Sequence, residues 1–225
     1  MLCKIIALSF HKNSQDSVFV QSNTPITKAT ADIDRWFGSD QRFDQLYPAS
    51  ERTLSSRHWT PLHMAREAAR FLTSGDQVKI LDIGSGVGKF WLAAAYYNPK
   101  PFYYAIEQRK QLVHKAEITR QILRFDYVSF KPGNFTQVNF RDYDHFYFYN
   151  SFYENIEPIS RIDDSIDYSE ELYKYYNRYL YGQLGQAAVG TRLATFHTPA
   201  LDIPSCFSLA DALFDNLLNF WIKAE

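Results

Sequence analysis

The sequence predicts an α/β fold: a doubly wound, mostly parallel sheet that is preceded by a helical extension and ends in an antiparallel hairpin. Between residues 78 and 196, short apolar runs alternate with amphipathic runs of helical length. Such alternation is typical of parallel strands joined by crossover helices. Near the C-terminus, two apolar runs follow each other with only a short turn between them. That spacing predicts an antiparallel hairpin at the edge of the sheet.

The expected strands and helices follow one another in the order that a doubly wound sheet requires. Each strand is a short apolar run, and each helix repeats its apolar residues at helical spacing. The five parallel strands are expected at residues 78–82, 102–106, 127–130, 143–149 and 191–196. The helices between them are expected at residues 90–97, 109–124 and 168–184, and the hairpin strands at residues 203–209 and 217–223.

A helical extension is expected before the first strand. Residues 31–37 have apolar residues at helical spacing, and Thr60 and Pro61 predict the N-cap and first position of a helix over residues 61–72. Residues 1–30 are expected to hold a leading strand or loose tail, followed by irregular structure.

Length and composition favour one structural domain. The 225 residues are 46% hydrophobic and 17% aromatic, enough to bury one sizeable core. Within that domain, residues 1–75 are the extension that caps the ligand cleft and residues 76–225 are the ligand-binding core. The net charge of −1 creates no global field for nucleic acid or an anionic membrane. No apolar run has the length that a membrane-spanning helix needs.

The cysteines and histidines form no metal-binding or disulfide pattern. Cys3 and Cys206 are the only cysteines, which suits a reducing cytoplasm. The six histidines have no ligand spacing with cysteines or carboxylates, so no metal is predicted. His197, at the end of the fifth expected strand, is the histidine best placed to reach the cleft. A structural role is the alternative for it, and the commoner one.

The turn after the first strand is the most informative functional signal. Asp82 ends the strand, and Gly84, Gly86 and Gly88 follow at alternate positions, with Ser85 between the first two. Glycine allows positive φ and lets a ligand contact the backbone without meeting a Cβ. A dinucleotide site would need its third glycine at position 89, where this chain has lysine. The turn therefore predicts a nucleoside cofactor that is not a dinucleotide.

An acid followed by G-x-G-x-G resembles motif I of the class I S-adenosylmethionine-dependent methyltransferases. The resemblance implies a Rossmann-like fold, S-adenosylmethionine as the methyl donor and S-adenosylhomocysteine as the product. It implies that Asp82 helps to hold the cofactor's ammonium, directly or through water, and that the turn with Ser85 surrounds the amino-acid tail. Glu107, at the end of the second strand, is expected to accept hydrogen bonds from both ribose hydroxyls, with Gln108 beside it.

A third family position follows the third strand. Gly133-Asn134-Phe135 lies where the family usually has Gly-Asp and an apolar residue. The resemblance implies that the Asn134 amide recognises the amino group or a ring nitrogen of adenine and that Phe135 packs against the base.

The residues after the fourth strand are expected to face the methyl donor, because ligands in open α/β sheets lie outside the carboxyl ends of the strands. Asn150-Ser151-Phe152-Tyr153 partly resembles the [DN]-P-P-[YFW] motif of amino-methylating families, without its prolines. It is closer to the Asn-Asn-Phe version of the non-SET histone lysine methyltransferases, which share the motif I wording. We predict that Asn150 orients the attacking amine and that Phe152 and Tyr153 form an aromatic wall. The alternative is that both rings only pack the strand-helix corner.

Two segments outside the sheet are expected to border the cleft. Residues 47–60 are predicted to form part of a lid, with candidate lining residues Ser55, Ser56, Arg57, His58, Trp59 and Thr60. Residues 154–171 carry seven acids and one cation, Arg161, which predicts a negative rim that attracts a cationic peptide or an amine. The alternative is that the last two acids only complement a helix dipole.

Together these features predict a cytoplasmic methyltransferase that acts on a nitrogen of a protein or small-molecule acceptor, with no nucleic-acid or membrane partner. Two alternatives stay open. A nucleic-acid amino-methyltransferase would need a basic, aromatic-bearing surface, and a non-catalytic binding module would keep the same fold as a scaffold.

Overall fold

The structure, a computed structural model, describes residues 33–73 and 77–224. The strands are Lys79–Ile83 (β1), Phe102–Glu107 (β2), Val128–Pro132 (β3), His145–Phe148 (β4), Arg192–Phe196 (β5), Phe207–Leu213 (β6) and Leu218–Lys223 (β7). They form one sheet in the order β3-β2-β1-β4-β5-β7-β6. The first five strands pair in parallel, and β7 lies antiparallel between β5 and β6. The predicted fold class is confirmed.

Eight helices belong to the described ranges, together with short 3-10 turns. They are α1 (33–37 among the described residues), α2 (Asp40–Asp44), α3 (Ala49–Arg52), α4 (Ser55–His58), α5 (Leu62–Leu72), α6 (Lys89–Tyr97), α7 (Lys110–Leu123) and α8 (Glu170–Gly185). None of the helices in these ranges combines the length and hydropathy required to cross a membrane. The predictions for residues 1–30 lie outside the described residues.

The predicted hairpin strand at residues 203–209 begins later than expected, at Phe207. A 3-10 turn at Ala200–Asp202 and Pro204 precede it. Because proline has no N–H to give to a neighbouring strand, the ladder forms only beyond it. The connection between β5 and the hairpin spans residues 197–206 and contains one 3-10 turn, so no long helix covers the carboxyl end of β5.

The predicted cap of α5 is wrong. Its first helical residue is Leu62, whose N–H donates to Oδ1 of Asp40 at 3.0 Å. The hydroxyl of Thr60 instead shares a 2.7 Å hydrogen bond with the hydroxyl of Tyr147 inside the protein. A buried phenol must have a polar partner, and this requirement takes precedence over capping.

Two apolar layers cover the sheet. One contains the helices before β1 together with α6, and its fully buried side chains include Phe43, Leu72 and Trp91. The other lies under α8 and is rich in aromatic rings, including Phe146 and Phe148 of β4. The described part of the extension thus shares a core with the sheet, and it is held in a defined position over the strand ends.

The buried side chain of Lys89 also attaches the N-terminal extension to the glycine turn. Lys89, which is only 3% exposed, makes salt bridges of 2.7 and 2.6 Å with Asp40 and Asp44 of α2. The Tyr47 hydroxyl donates to the carbonyl of Val87 at 2.9 Å. Both contacts join α2 and the residues after it to the glycine turn, because a buried ammonium needs paired carboxylates.

Candidate cofactor and acceptor site

A cavity of about 480 Å³ opens at the carboxyl edge of the parallel strands. Its walls come from the glycine turn after β1, the end of β2, α4 and the segment after β4. The volume falls in the range of ordinary small-molecule sites, roughly 300–1,000 Å³. The position agrees with the general rule for ligands in open α/β sheets.

The three glycines of the turn have different functions. All have positive φ: +78° at Gly84, +55° at Gly86 and +81° at Gly88. A Cβ on Gly84 would lie 2.3 Å from Oγ of Ser151, and one on Gly88 would lie 2.4 Å from the ring of Phe130. A Cβ on Gly86 would meet no atom within 4 Å. The outer two glycines are thus required by packing, whereas Gly86 leaves open space on the cavity side.

Asp82 is a buried acid without a polar partner. It is 2% exposed, and no described residue hydrogen-bonds to its carboxyl group. Burial, and the nearby Glu107 carboxylate, raise the pKa of Asp82 well above the usual aspartate value. Oγ of Ser85 and Oδ1 of Asn155 are the described side-chain atoms that are fully buried without a hydrogen bond, and Asn155 lines neither the main cavity nor the two small clefts next to it. Asp82 and Ser85 line a cleft of about 20 Å³ that shares walls with the main cavity. Buried polar atoms in native proteins almost always have partners, so this cleft is where a small polar end of a ligand would provide them.

Glu107 is held in place by backbone donors. Its Oε2 accepts from the N–H of Gly86 at 3.0 Å, and its Oε1 accepts from the N–H of Arg109 at 2.9 Å. The side chain is 5% exposed and lines the cavity. A carboxylate oxygen can accept more than one hydrogen bond, so both oxygens keep a lone pair for a ligand hydroxyl.

Arg109 was not predicted from the sequence, and it organises the segment after β4. Its Nη2 lies 2.7 Å from a carboxylate oxygen of Glu154 and 2.6 Å from the hydroxyl of Tyr168, and its Nε lies 3.1 Å from Asp163. Burial alone would lower the pKa of Arg109, but the hydrogen bond and charge of Glu154 outweigh it, so the net direction is upward. Its position two residues after the strand-end acid is the one sequence signal that could have indicated it.

The predicted negative rim is reduced by these pairs. Arg109 pairs with Glu154 and Asp163, and Lys174 pairs with Glu170 in α8. One arginine offsets only one of its two carboxylates, and the other four acids of the segment make no salt bridge with a described residue. The segment therefore keeps an excess of negative charge, and the attraction of a cationic acceptor stays a prediction.

The residues predicted to contact adenine already use their polar atoms. Nδ2 of Asn134 donates to Oε1 of Gln108 at 3.0 Å and to the hydroxyl of Tyr176 at 2.8 Å. Its Oδ1 accepts from the N–H and hydroxyl of Thr136 and caps a 3-10 turn. Phe135 is buried and stacks on Phe152, with centroids 4.8 Å apart. An adenine contact with Asn134 would have to replace one of these hydrogen bonds.

The predicted acceptor residues separate into two groups. Asn150 and Tyr153 line the main cavity, and Tyr153 is 42% exposed. Phe152 is 4% exposed and packs between Phe135, Phe148 and Tyr176. For Phe152, corner packing is therefore the contact that the structure contains, and its distance from the main cavity argues against a role in the aromatic wall.

Hydrogen bonds join the α4 segment to the segment after β4, and both segments line the cavity. Nη1 of Arg57 donates to the carbonyl of Ile159 at 3.0 Å, and the hydroxyl of Tyr149 donates to the carbonyl of Arg57 at 2.7 Å. Of the predicted lid residues, four line the main cavity: Ser56, Arg57, His58 and Trp59. A small cleft of about 20 Å³ beside Asp82 is bordered by Thr60, which lies deeper.

Histidines occupy two kinds of position. Nδ1 of His145 accepts from the backbone N–H of Arg192 at 3.1 Å, so this residue has a structural role. His58 and His197 line the main cavity. Within residues 33–73 and 77–224, no cluster of three or more His, Cys, Asp or Glu side chains could hold a metal.

Comparison with solved structures identifies the architecture. TrmN from Thermus thermophilus superposes with a TM-score of 0.54 at 19% identity, over 77% of this chain and 52% of the TrmN chain. The chain has the Rossmann-like fold of methyltransferases. It spans about half of the TrmN chain, and at this identity the likeness concerns the fold alone.

Two further structures are similar at lower scores. An RNA methyltransferase from Salinibacter ruber, solved with S-adenosyl-L-homocysteine, aligns at 16% identity and a TM-score of 0.49, over 73% of this chain and 90% of its own. A SAM-dependent methyltransferase from Aquifex aeolicus aligns at 14% identity and a TM-score of 0.45, over 70% of this chain and 87% of its own. No protein-family model and no curated protein sequence matches the chain.

Proposed function

We propose that this protein is an S-adenosylmethionine-dependent methyltransferase that transfers the methyl group to a nitrogen of a small molecule or a protein. One observation carries the proposal: Asp82 and Ser85 bring buried, unpartnered polar atoms to the glycine turn, beside an acid that two backbone N–H groups orient. A ligand with an ammonium at one end and a diol further along would satisfy all three side chains.

The donor set fits the cofactor at its amino-acid and ribose ends. Asp82 would accept from the ammonium, and Ser85 would hydrogen-bond the same tail. Glu107 would accept from the ribose hydroxyls with its free lone pairs. Because Gly86 has no side chain, the space beside it stays open and the cofactor can contact the backbone there. When bound, the cofactor supplies a methyl group already activated by a sulfonium.

The position that we propose for the adenine base of the cofactor differs from the one that the sequence predicted. Phe135 borders a cleft of about 20 Å³, room for about one water molecule and not for a purine, and Asn134 lines neither this cleft nor the main cavity. Leu112 and Ile162 are apolar and line the main cavity beside Glu107. We place the base against these two side chains, since an aromatic base gains free energy on apolar walls.

On the acceptor side, the chain's own residues position the nucleophile. Asn150 has φ +29° and lines the cavity directly after β4. Its amide oxygen would accept a hydrogen bond from the attacking nitrogen and direct the lone pair toward the methyl group. Tyr153 would form the aromatic side of this pocket. Positioning of this kind supplies most of the rate acceleration in a displacement whose electrophile is already activated.

The hydrogen bonds between α4 and the segment after β4 favour an acceptor of small cross-section. Tyr149 and Arg57 line the cavity, and their hydrogen bonds join α4 to the segment after β4, which favours a compact molecule or a single extended side chain over a duplex. The net charge of −1 supports the same preference, because polyanion binding depends on basic surface.

The test has two steps. Calorimetric titration with S-adenosylhomocysteine should show one site per chain, and Glu107→Ala should weaken it by about 1–3 kcal/mol. Incubation with the tritiated methyl donor and separated lysate fractions should then label protein or small molecules. Label only in nucleic acid would establish the amino-methyltransferase alternative, and binding without label in any fraction would establish the non-catalytic module. Absence of binding would refute the proposal.

A further inference from the structure

The end of β5 presents an unused basic group to the cavity. His197 follows the last strand residue directly, and it lines the same cavity as Asn150, which follows the neighbouring β4. No described residue makes a hydrogen bond with its ring nitrogens. Both ring nitrogens are thus free of protein partners at the carboxyl edge of the sheet.

The backbone at His197 is held in a left-handed conformation. Its φ is +52°, and its N–H donates to the carbonyl of Leu217 at 2.9 Å. A non-glycine residue in this region costs roughly 1–2 kcal/mol. Other such residues, Arg124 and Asp215 among them, lie at a helix end and in the β6–β7 turn, where this conformation is ordinary. His197 and Asn150 are the two that line the main cavity, and strain of this kind is concentrated at functional sites.

Aromatic neighbours orient the ring without using its nitrogens. The imidazole lies 4.3 Å from the ring of Phe196 and 5.8 Å, nearly parallel, from the ring of Tyr149, measured between centroids. Both neighbours contact the imidazole through the faces of their rings, which are apolar. They limit the rotation of the imidazole and form no hydrogen bond with its nitrogens. A catalytic group needs this kind of support from residues that do not themselves compete for its proton.

Two other titratable side chains of the cavity, Glu154 and Tyr149, are unsuitable as a base near neutral pH. Glu154 is paired with Arg109, and burial raises the pKa of Tyr149 to about 12. Burial and the charges of Arg109 and Arg57 lower the pKa of His58, the other imidazole of the cavity. Burial also lowers the pKa of His197, which favours the neutral imidazole that can accept a proton. His197 differs from His58 because it directly follows a strand of the sheet in a left-handed conformation.

The charged and titratable groups around His197 are few. Tyr149 lies against its ring, Arg57 and His58 belong to α4 on the other side of the cavity, and Asp215 is the exposed acid of the β6–β7 turn. His197 is exposed to solvent, so its imidazole can release a proton to water after accepting one.

We infer that His197 is the proton acceptor for the methylated nitrogen, an assignment that rests on the proposed function. As the nitrogen–carbon bond forms, the carbon–sulfur bond breaks and leaves its electron pair on sulfur. The proton on the acceptor nitrogen passes to a ring nitrogen of His197 and then to solvent. The step conserves charge, because the sulfonium becomes a neutral thioether while the imidazole gains the proton.

The variant His197→Asn tests this inference, since asparagine tolerates left-handed φ and has no basic nitrogen. With the lysate fraction that the wild type labels, kcat should fall about 100-fold, within the range for general bases, while affinity for S-adenosylhomocysteine stays the same. The acidic limb of the pH–rate profile should disappear, and added imidazole should restore part of the rate. His63→Gln is the matched control, because His63 packs on Phe214 in the hairpin turn.

The other outcomes overturn either the role of His197 or the proposed function. A pH–rate profile of His197→Asn that keeps its acidic limb overturns the role of His197, and loss of the limb in His58→Gln transfers that role to His58. A wild type that binds the cofactor and labels no fraction overturns the proposed function instead, and the role of His197 with it.

Discussion

At the methionine end of the proposed site, the carboxyl group of Asp82 and Oγ of Ser85 are buried, and neither makes a hydrogen bond with a described residue. At the end that the sequence predicted for adenine, Asn134 uses both N–H groups and both lone pairs of its amide within the protein. Both ends follow a parallel strand at the same edge of the sheet. They differ in whether the fold itself has satisfied their polar atoms.

This difference provides a way to distinguish proposed ligand-binding residues from structural ones when no ligand is bound. A buried polar group without a partner has a free-energy cost of roughly 1–3 kcal/mol, and a ligand that pairs with it recovers that cost. A group that is already paired gains little from a ligand. We therefore expect cofactor affinity to depend strongly on Asp82 and Glu107 and weakly on Asn134.

Glu107→Ala should have the greatest effect on both affinity and folding. It removes the ribose acceptor and leaves the buried N–H groups of Gly86 and Arg109 without their partner. We expect the affinity for S-adenosylhomocysteine and the free energy of unfolding each to fall by about 1–3 kcal/mol. Calorimetry and urea denaturation measure the two. Unchanged affinity would remove Glu107 from the site.

Asp82→Asn should change affinity and stability in opposite directions. The amide cannot balance an ammonium charge, so affinity should fall about tenfold, or about 1.4 kcal/mol. Burial and Glu107 raise the native pKa of Asp82, so the folded state binds its proton more tightly than the unfolded state. Wild-type stability should therefore fall as pH rises above the unfolded aspartate pKa of about 3.9.

The asparagine variant should lack that decline, so its stability advantage over the wild type should increase with pH. Thermal denaturation from pH 4 to pH 8 measures the difference. A variant that is less stable than the wild type throughout this range would show that the Asp82 carboxylate is not an uncompensated charge.

Cofactor binding itself should depend on pH through Asp82. The ammonium favours the ionised carboxylate, so binding below the raised native pKa requires loss of a proton, and affinity should rise by at most about tenfold per pH unit. Titrations in two buffers with different ionisation enthalpies should detect the released proton. In Asp82→Asn the release should vanish, and its persistence would assign the proton to another group.

Asn134→Ala should have the smallest effect on affinity. The variant loses hydrogen bonds to Gln108, Thr136 and Tyr176, so the free energy of unfolding should fall by about 1–2 kcal/mol. Affinity for S-adenosylhomocysteine should change by less than about threefold. A tenfold loss of affinity would instead show that Asn134 contacts adenine, as the family resemblance implies.

The sequence predicts the cofactor end of the proposed site because that end is local. Asp82, the glycine turn and Glu107 lie at the ends of two strands whose order follows from the alternating pattern, so their proximity required only the fold class. The acceptor end is different: Arg57 bonds to Ile159, 102 residues away. No local pattern specifies which of many exposed cations will meet a given carbonyl.

Asn134 illustrates the same limit. Its place in the Gly133-Asn134-Phe135 motif predicted a free amide, but a hydroxyl from α8 and the glutamine after Glu107 take up its donors. Arg109 and Phe152 also acquired their roles from partners that are distant in the chain.

The succession of strands and helices along the chain, the glycine turn and the two acids were determined by the sequence itself, because backbone sterics and hydrophobic periodicity act over a few residues. The partners of each polar side chain were decided only by the tertiary structure. Hydrogen bonds and ion pairs form between whichever groups the packed elements bring within about 3 Å, and that distance depends on the whole fold. For Asp82 the fold supplied no partner, and this is the reason that we propose a cofactor for the site.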